Sequence, residues 1–240
     1  MDTETAHPVL GNERPVSGAA LVSCLRAHGA AKLAGFFDPS LIAWILEQFR
    51  TSMAERQKQW DAGMLPREHH KDFTGGSMRL DQVTIDGRTA GEALTREPLQ
   101  AAADEMLGHS ARRSHSSYIR TISPGPEELP FHQDQTLVES ALLNIWLPLT
   151  PCGTDAPGLE VALTPKTELL ATTGPQESNR LVERKQITRE LIVDTFGERA
   201  LWHPTFEPGD ALVFSGSTVH RTYVTEAMTE PRTSIELRLI

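Results

Sequence analysis

The sequence predicts an α+β protein in which a double-sheet jelly roll, a double-stranded β-helix, carries N-terminal helices packed on one outer face. Three observations predict it. Apolar residues recur at helical spacing as far as about residue 113. From Ser114 the period drops to two, and β-branched and aromatic residues gather in short runs bounded by Gly and Pro. A chain of 240 residues with 39% hydrophobic and 23% charged residues has the proportions of one that buries a full core.

Taken in order, residues 1–16 carry Pro, Asn, Gly and charge without period and read as a loose leader ahead of a single domain over 17–240. Leu21, Val22 and Leu25 mark a helix over 17–30, with Gly29 placed to stop it. The apolar run AAKLAGFF follows. Asp38, Pro39 and Ser40 then supply an N-cap and a first-turn proline. Behind them, Leu41, Ile42, Ile45, Leu46, Phe49 and Met53 form one apolar face of a helix running to about Trp60. The polar, Gly-rich stretch 61–90 reads as a loop that can hold a ribbon. A further helix covers 91–107. Strands are expected over 116–122, 141–149, 159–163, 200–207, 211–214, 218–224 and 233–240, with one inserted helix over 187–196 closed by Gly197.

Charge and cysteine usage exclude several classes of partner. Asp and Glu outnumber Lys and Arg by 32 to 23, and no basic cluster exceeds a pair, so nucleic acid and anionic membranes are disfavoured. No apolar stretch approaches the ~20 residues a spanning helix needs. Cys24 and Cys152 are the only thiols, which suits a reducing compartment and argues against a structural disulfide. The opening residues lack the basic and apolar regions of a signal peptide, so a cytoplasmic protein acting on a small molecule is expected. Gly-X-Ser-X-Gly, Walker and dinucleotide-binding patterns are absent.

The chemistry concentrates in PFHQDQT, just ahead of the apolar strand ALLNIWLPL. In an extended segment residues two apart point the same way, so His132 and Asp134 converge on one point. A second imidazole from a neighbouring strand would complete two His and one carboxylate, the facial set that leaves positions open on iron. His220, in GDALVFSGSTVHRT, is that candidate. His-X-Asp is common enough to arise by chance, and His70-Lys71-Asp72 is a second copy. That copy has no strand after it and sits among Arg67, Glu68 and His69, where a solvated polar segment explains it. His203 has no carboxylate nearby in sequence and reads as structural or exposed, and Gly209-Asp210 reads as a turn into a strand.

In order, FHQD, LLNIWLPL, APGLEVALTPKTE, EPGDALVFSGSTVHRT and RTSIELR resemble the iron(II)- and 2-oxoglutarate-dependent oxygenases of the phytanoyl-CoA dioxygenase-like family, which share a cupin-like barrel. The early segment LRAHGAAKLAGFFDPSLIAWI also resembles that family's opening helix, strand and helix. One departure is Pro165-Lys166-Thr167-Glu168, which stands where the family commonly has a Pro-Gly-Ser-His turn.

The resemblance implies iron(II) held by His132, Asp134 and His220, with 2-oxoglutarate and dioxygen as cosubstrates. It implies hydroxylation, desaturation or cyclisation at a C–H bond, with release of succinate and carbon dioxide. The retained Asp134 distinguishes the chain from halogenating relatives. Arg232 would grip the distal carboxylate of 2-oxoglutarate, a task a planar guanidinium performs with two parallel hydrogen bonds; the competing reading pairs it with Glu236 or Glu230. Thr222 shares the face of His220. Tyr118, Asn144 and Trp146 are further candidate contacts to the cosubstrate, and Arg120 is a candidate for an acidic group on the substrate. Alternatives on the same barrel are a cupin-type metal-dependent isomerase or hydrolase, and a non-catalytic metal-binding module.

Overall fold

The structure, a computed structural model, describes residues 7–11, 15–64, 76–85, 87–125 and 129–240. The His70-Lys71-Asp72 copy lies outside them. Twelve strands are present among the described residues: β1 (Val9–Gly11), β2 (Ala30–Ala34), β3 (Ser77–Arg79), β4 (Thr84–Ile85), β5 (Arg88–Thr89), β6 (Tyr118–Ile122), β7 (Leu143–Pro148), β8 (Gly158–Ala162), β9 (Leu201–Trp202), β10 (Ala211–Ser215), β11 (His220–Tyr223) and β12 (Arg232–Leu239). Seven of them form a sheet in the order β1-β2-β10-β7-β12-β6-β3, and β11-β8-β9 form a second sheet facing it. The segment through His132 extends the second sheet by an antiparallel bridge to His220. The two sheets, the second completed by the His132 segment, make the jelly roll expected from the sequence.

The alternation of strand side chains decides which core each residue joins. On β7, Leu143, Ile145 and Leu147 turn outward into a cluster shared with Leu21, Ile42, Ile45, Phe49 and Leu99 of the helices. Trp146 turns inward, joining Leu159, Val161, Phe206, Leu212 and Phe214 between the sheets. Strand β12 follows the same rule: Ile235, Leu237 and Leu239 lie fully buried under the helices. Arg232, Ser234, Glu236 and Arg238 occupy the other face.

The helix ends have local causes. Ser17 caps helix Gly18–His28 by accepting from the Ala20 amide at 3.2 Å. Gly29 closes it at φ 75°, where a Cβ would also lie 2.6 Å from the Thr164 carbonyl oxygen. Asp38 caps helix Pro39–Asp61, and Pro39 occupies its first turn as expected.

Four expectations are corrected. The leader is not loose throughout, because Val9–Gly11 pairs in parallel with β2 at the sheet edge. The first half is not purely helical: the apolar run after Gly29 becomes β2 beside β10, and β3 pairs with β6. The helix over 91–107 divides into Ala90–Leu94 and Glu97–Leu107, since Pro98 cannot donate a helical hydrogen bond and disfavours helical backbone before it. In the predicted strand over 200–207 only Leu201–Trp202 joins β8; the rest is held by paired backbone bonds between Cys152 and Phe206 at 3.0 and 3.1 Å. No described helix is long and apolar enough to cross a membrane.

The Gly209-Asp210 turn fastens the sheet edge. The Asp210 carboxylate accepts from the amides of Gly35 at 2.8 Å and Glu207 at 3.1 Å, and pairs with Lys32 Nζ at 2.9 Å. Asp210→Ala leaves two amides and a largely buried ammonium without their partner. We expect it to lower unfolding stability by about 2–4 kcal/mol, measured by urea denaturation.

Candidate active site

The two histidines meet because their backbones pair. The His132 amide donates to the His220 carbonyl, and the His220 amide returns the bond, each at 3.0 Å. The rings consequently sit 4.3 Å apart between centroids. Each Nδ1 donates to a carbonyl two residues back, His132 to Pro130 at 2.7 Å and His220 to Thr218 at 3.0 Å. That contact fixes the tautomer and leaves each Nε2 lone pair free.

Both Nε2 atoms face Asp134, His132 at 3.4 Å from Oδ1 and His220 at 4.0 Å from Oδ2. The three donor atoms lie within 4.8 Å of one another, and all three residues are buried. Asp134 does not reach this point by extended alternation, as the sequence suggested. Its backbone is helical, φ −59° and ψ −31°, at the start of the short turn Gln135–Val138. This bend swings the carboxylate between the two rings.

Burial, and then the neighbouring His132, push the His220 imidazole down to about 4 against the opposing pull of Asp134. It is therefore neutral near pH 7, the form a metal ligand requires. Burial alone would raise the Asp134 carboxyl, but the His132 hydrogen bond and the positive charge around it, Arg238 included, hold it below the usual carboxylate range. The site thus offers two imidazole nitrogens and one carboxylate.

Gln133, between two of these residues, points the other way and is fully buried. Its amide nitrogen donates to the carbonyls of Ser217 at 2.6 Å and Glu168 at 3.0 Å, and its oxygen accepts from the Leu170 amide at 2.8 Å. The divergent Pro165–Glu168 loop is therefore tied to the ligand segment through backbone atoms.

A cavity of about 210 Å³ opens from the cluster between the two sheets. Asn144, Trp146, Thr222, Arg232 and Arg120 all line it, whereas Tyr118 does not. Arg232 is 1% exposed. Its Nη1 donates to the Gly158 and Pro157 carbonyls at 3.1 and 3.4 Å, and its guanidinium lies 5.1 Å from the Trp146 ring centroid. No described carboxylate pairs with it. Burial pushes it down to about 10, so it stays protonated at neutral pH.

The competing partner for Arg232 is engaged elsewhere, since Glu236 takes Arg120 at 3.0 Å and Arg238 at 3.1 Å. That pairing also corrects the reading of Arg120, which faces the cavity with its charge already neutralised. Sequence reasoning passed over Ser234 and Arg238 and named Glu236 only as a partner for Arg232, although counting by twos from Arg232 along β12 reaches all three. The buried Asn144 Nδ2, Trp146 Nε1 and Ser234 Oγ have no partner. His203 lies exposed, stacked on Tyr223 at 4.1 Å and away from the cavity.

Two imidazoles and a carboxylate inside a jelly roll, with room left on the metal side, define the class of non-haem iron oxygenases. The family model described as Phytanoyl-CoA dioxygenase (PhyH) matches residues 25–224, and the chain belongs to that family. Its cofactor is iron(II), and 2-oxoglutarate and dioxygen are its cosubstrates.

Solved structures share the fold. EvdO2 from Micromonospora carbonacea var. aurantiaca, complexed with 2-oxoglutarate, aligns with a TM-score of 0.60 at 15% identity over 94% of this chain and 91% of its own. AviO1 from Streptomyces viridochromogenes Tue57 aligns at 0.56 and 17% identity, covering 94% and 96%. EctD from S. alaskensis, in its apoform, aligns at 0.62 and 15% identity, covering 97% and 80%. No curated protein sequence matches the chain.

The cysteines are both free, in keeping with the sequence expectation. Burial pushes the Cys152 thiol, next to the Arg232 end of the cavity, up to about 12. We expect native protein at pH 8 to leave Cys152 unlabelled by iodoacetamide, with labelling appearing only after denaturation, read by peptide mass spectrometry.

Proposed function

We propose that the chain is an iron(II)- and 2-oxoglutarate-dependent dioxygenase that hydroxylates, desaturates or cyclises a small metabolite or natural-product intermediate at an unactivated C–H bond. In this reading His132, Asp134 and His220 hold the iron. Bound iron, with 2-oxoglutarate and dioxygen, supplies the oxidation of the C–H bond while 2-oxoglutarate leaves as succinate and carbon dioxide.

The observation that carries the reading is Arg232. A fully buried guanidinium without a carboxylate partner costs several kcal/mol of desolvation. A ligand carboxylate arriving in the same cavity as the triad offsets that cost. The pairing of β11 with β8 relates the two ends of this arrangement. His220 on β11 faces the metal position, Thr222 lies two residues further along the same face, and Gly158 of β8, opposite Tyr223, accepts from Arg232 of β12. The separation of metal position and guanidinium is thereby set by strand register, which suits a short dicarboxylic acid spanning the two.

Ser234 Oγ, unpartnered and on the Arg232 face, adds a hydroxyl at that end. Asn144 Nδ2 and Trp146 Nε1 add donors along the wall. The cavity's modest volume and largely apolar remainder, including Leu137, Leu159 and Phe214, fit a compact substrate and keep water from the reacting centre.

Two measurements test the reading. Asp134→Ala should abolish succinate formation after anaerobic iron reconstitution while the circular dichroism spectrum is unchanged; substantial remaining turnover would remove the triad assignment. Arg232→Ala should raise the 2-oxoglutarate KM by roughly 30-fold or more, corresponding to about 2 kcal/mol or above for losing one partner of a buried charge pair. An unchanged KM would remove the cosubstrate assignment.

A further inference from the structure

Along the cavity wall four charged side chains alternate in sign across three segments of the chain. Arg120 on β6 grips Glu236 on β12 through two contacts, Nε to Oε1 at 3.0 Å and Nη2 to Oε2 at 3.0 Å. Glu236 Oε2 in turn accepts from Arg238 Nη2 at 3.1 Å. The same Nη2 lies 3.4 Å from Oδ2 of Asp134. Arg238 Nη1 is anchored separately, donating to the Ser116 carbonyl at 2.7 Å. The Arg238 side chain is mostly buried, 14% exposed, and the Asp134 side chain is 4% exposed.

We propose that Arg238 is a positioning residue that acts through Asp134, occupying its Oδ2 so that the carboxylate presents one oxygen to the metal. This rests on the assignment of Asp134 as an iron ligand. The guanidinium engages one oxygen only: Oδ2 lies 3.4 Å from Arg238 Nη2 and 4.0 Å from His220 Nε2, while Oδ1, 3.4 Å from His132 Nε2, takes no contact from the guanidinium. A carboxylate with both oxygens free can close on a metal through both, which consumes a coordination position. A guanidinium that holds one oxygen by a charge-assisted bond prevents that closure and leaves the position for exchangeable ligands.

The anchoring explains why arginine suits the position. A guanidinium presents several donors in one plane, so Arg238 can bind Ser116, Glu236 and Asp134 together. An ammonium of similar charge on a flexible stem cannot hold all three in a fixed plane. Glu236 then has a purpose beyond neutralising Arg120: it fixes Arg238 from the side opposite Ser116. Arg238 itself bonds Ser116, Glu236 and Asp134 and makes no hydrogen bond to Arg232, so a change at Arg238 is read first at Asp134.

Cobalt(II) provides a test that needs no turnover. It is stable in air, and the position and intensity of its visible d–d bands follow coordination number and ligand geometry. Wild type should bind one equivalent with Asp134-dependent bands. Arg238→Met, of similar length and uncharged, should weaken cobalt(II) binding by about 10–100-fold and shift the bands, with unchanged circular dichroism. Arg238→Lys should recover part of the affinity but not the wild-type band shape. If Arg238→Met does not fold, the band shape of Arg238→Lys decides by the same criterion.

Wild-type affinity and bands in a folded Arg238 variant would overturn the positioning role while leaving the iron assignment intact. Cobalt(II) binding by wild type that Asp134→Ala does not alter would overturn the iron assignment, and this inference with it.

Discussion

The site depends on one backbone pairing. His132 and His220 are far apart in sequence, yet they are direct antiparallel partners, joined by two reciprocal 3.0 Å hydrogen bonds. Those bonds belong to the sheet, so the metal-side geometry is set by the same interactions that close the barrel. No loop has to find its place. The side-chain bonds from each Nδ1 to a nearby carbonyl then orient the rings, and the helical turn at Asp134 delivers the third donor between them. Imidazole orientation of this kind is what a metal requires before it arrives, because a ring free to rotate would lose entropy on binding.

The electrostatics of the interior divide into satisfied and unsatisfied parts. Arg120, Glu236, Arg238 and Asp134 compensate one another in a connected row. Arg232, on the same strand and deeper still, receives only carbonyl oxygens and the face of an indole. Two interior guanidiniums are thus balanced by carboxylates and the third is left open, an imbalance that the proposed binding of 2-oxoglutarate would offset. The row also explains how so many charges coexist under a hydrophobic layer: β12 sends its leucine and isoleucine residues to the helices and its ionic residues to the cavity, without exception over its length.

Much of this was legible in the sequence for a physical reason. The period-two pattern of β7 and β12 and the change of period near residue 114 reveal the sheet directly, because one face of each strand must be apolar. The caps at Asp38 and Gly29 were readable from local chemistry alone. The cavity positions of Thr222 and Asn144 follow from counting by twos from His220 and Trp146, whereas Arg232 and Trp146 themselves came with the family resemblance.

What stayed hidden needed information from elsewhere in the chain. Val9–Gly11 and Ala30–Ala34 are too short to announce themselves as strands, and only the open edge of β10 makes them so. Tyr118 shares a face with Arg120, but strand twist and position carry it away from the cavity. The pairing of Glu236 with Arg120 and not with Arg232 is a matter of cross-strand register: Ser234 stands opposite Arg120, and Glu236 stands one step along. The helical bend at Asp134 was concealed because an extended strand and a turn can both bring residues i and i+2 together.

Gln133 carries a consequence for how this protein can change over time. All three of its contacts reach main-chain atoms, at Glu168, Leu170 and Ser217. It therefore recognises the path of the neighbouring loop and is indifferent to that loop's side chains. Replacement of residues there is tolerated so long as the chain keeps its course, whereas an insertion or deletion would be felt one residue away from both His132 and Asp134. The side chains of the Pro165–Glu168 stretch are then free to vary while the chain keeps its path, and the geometry of His132 and Asp134 is insulated from them.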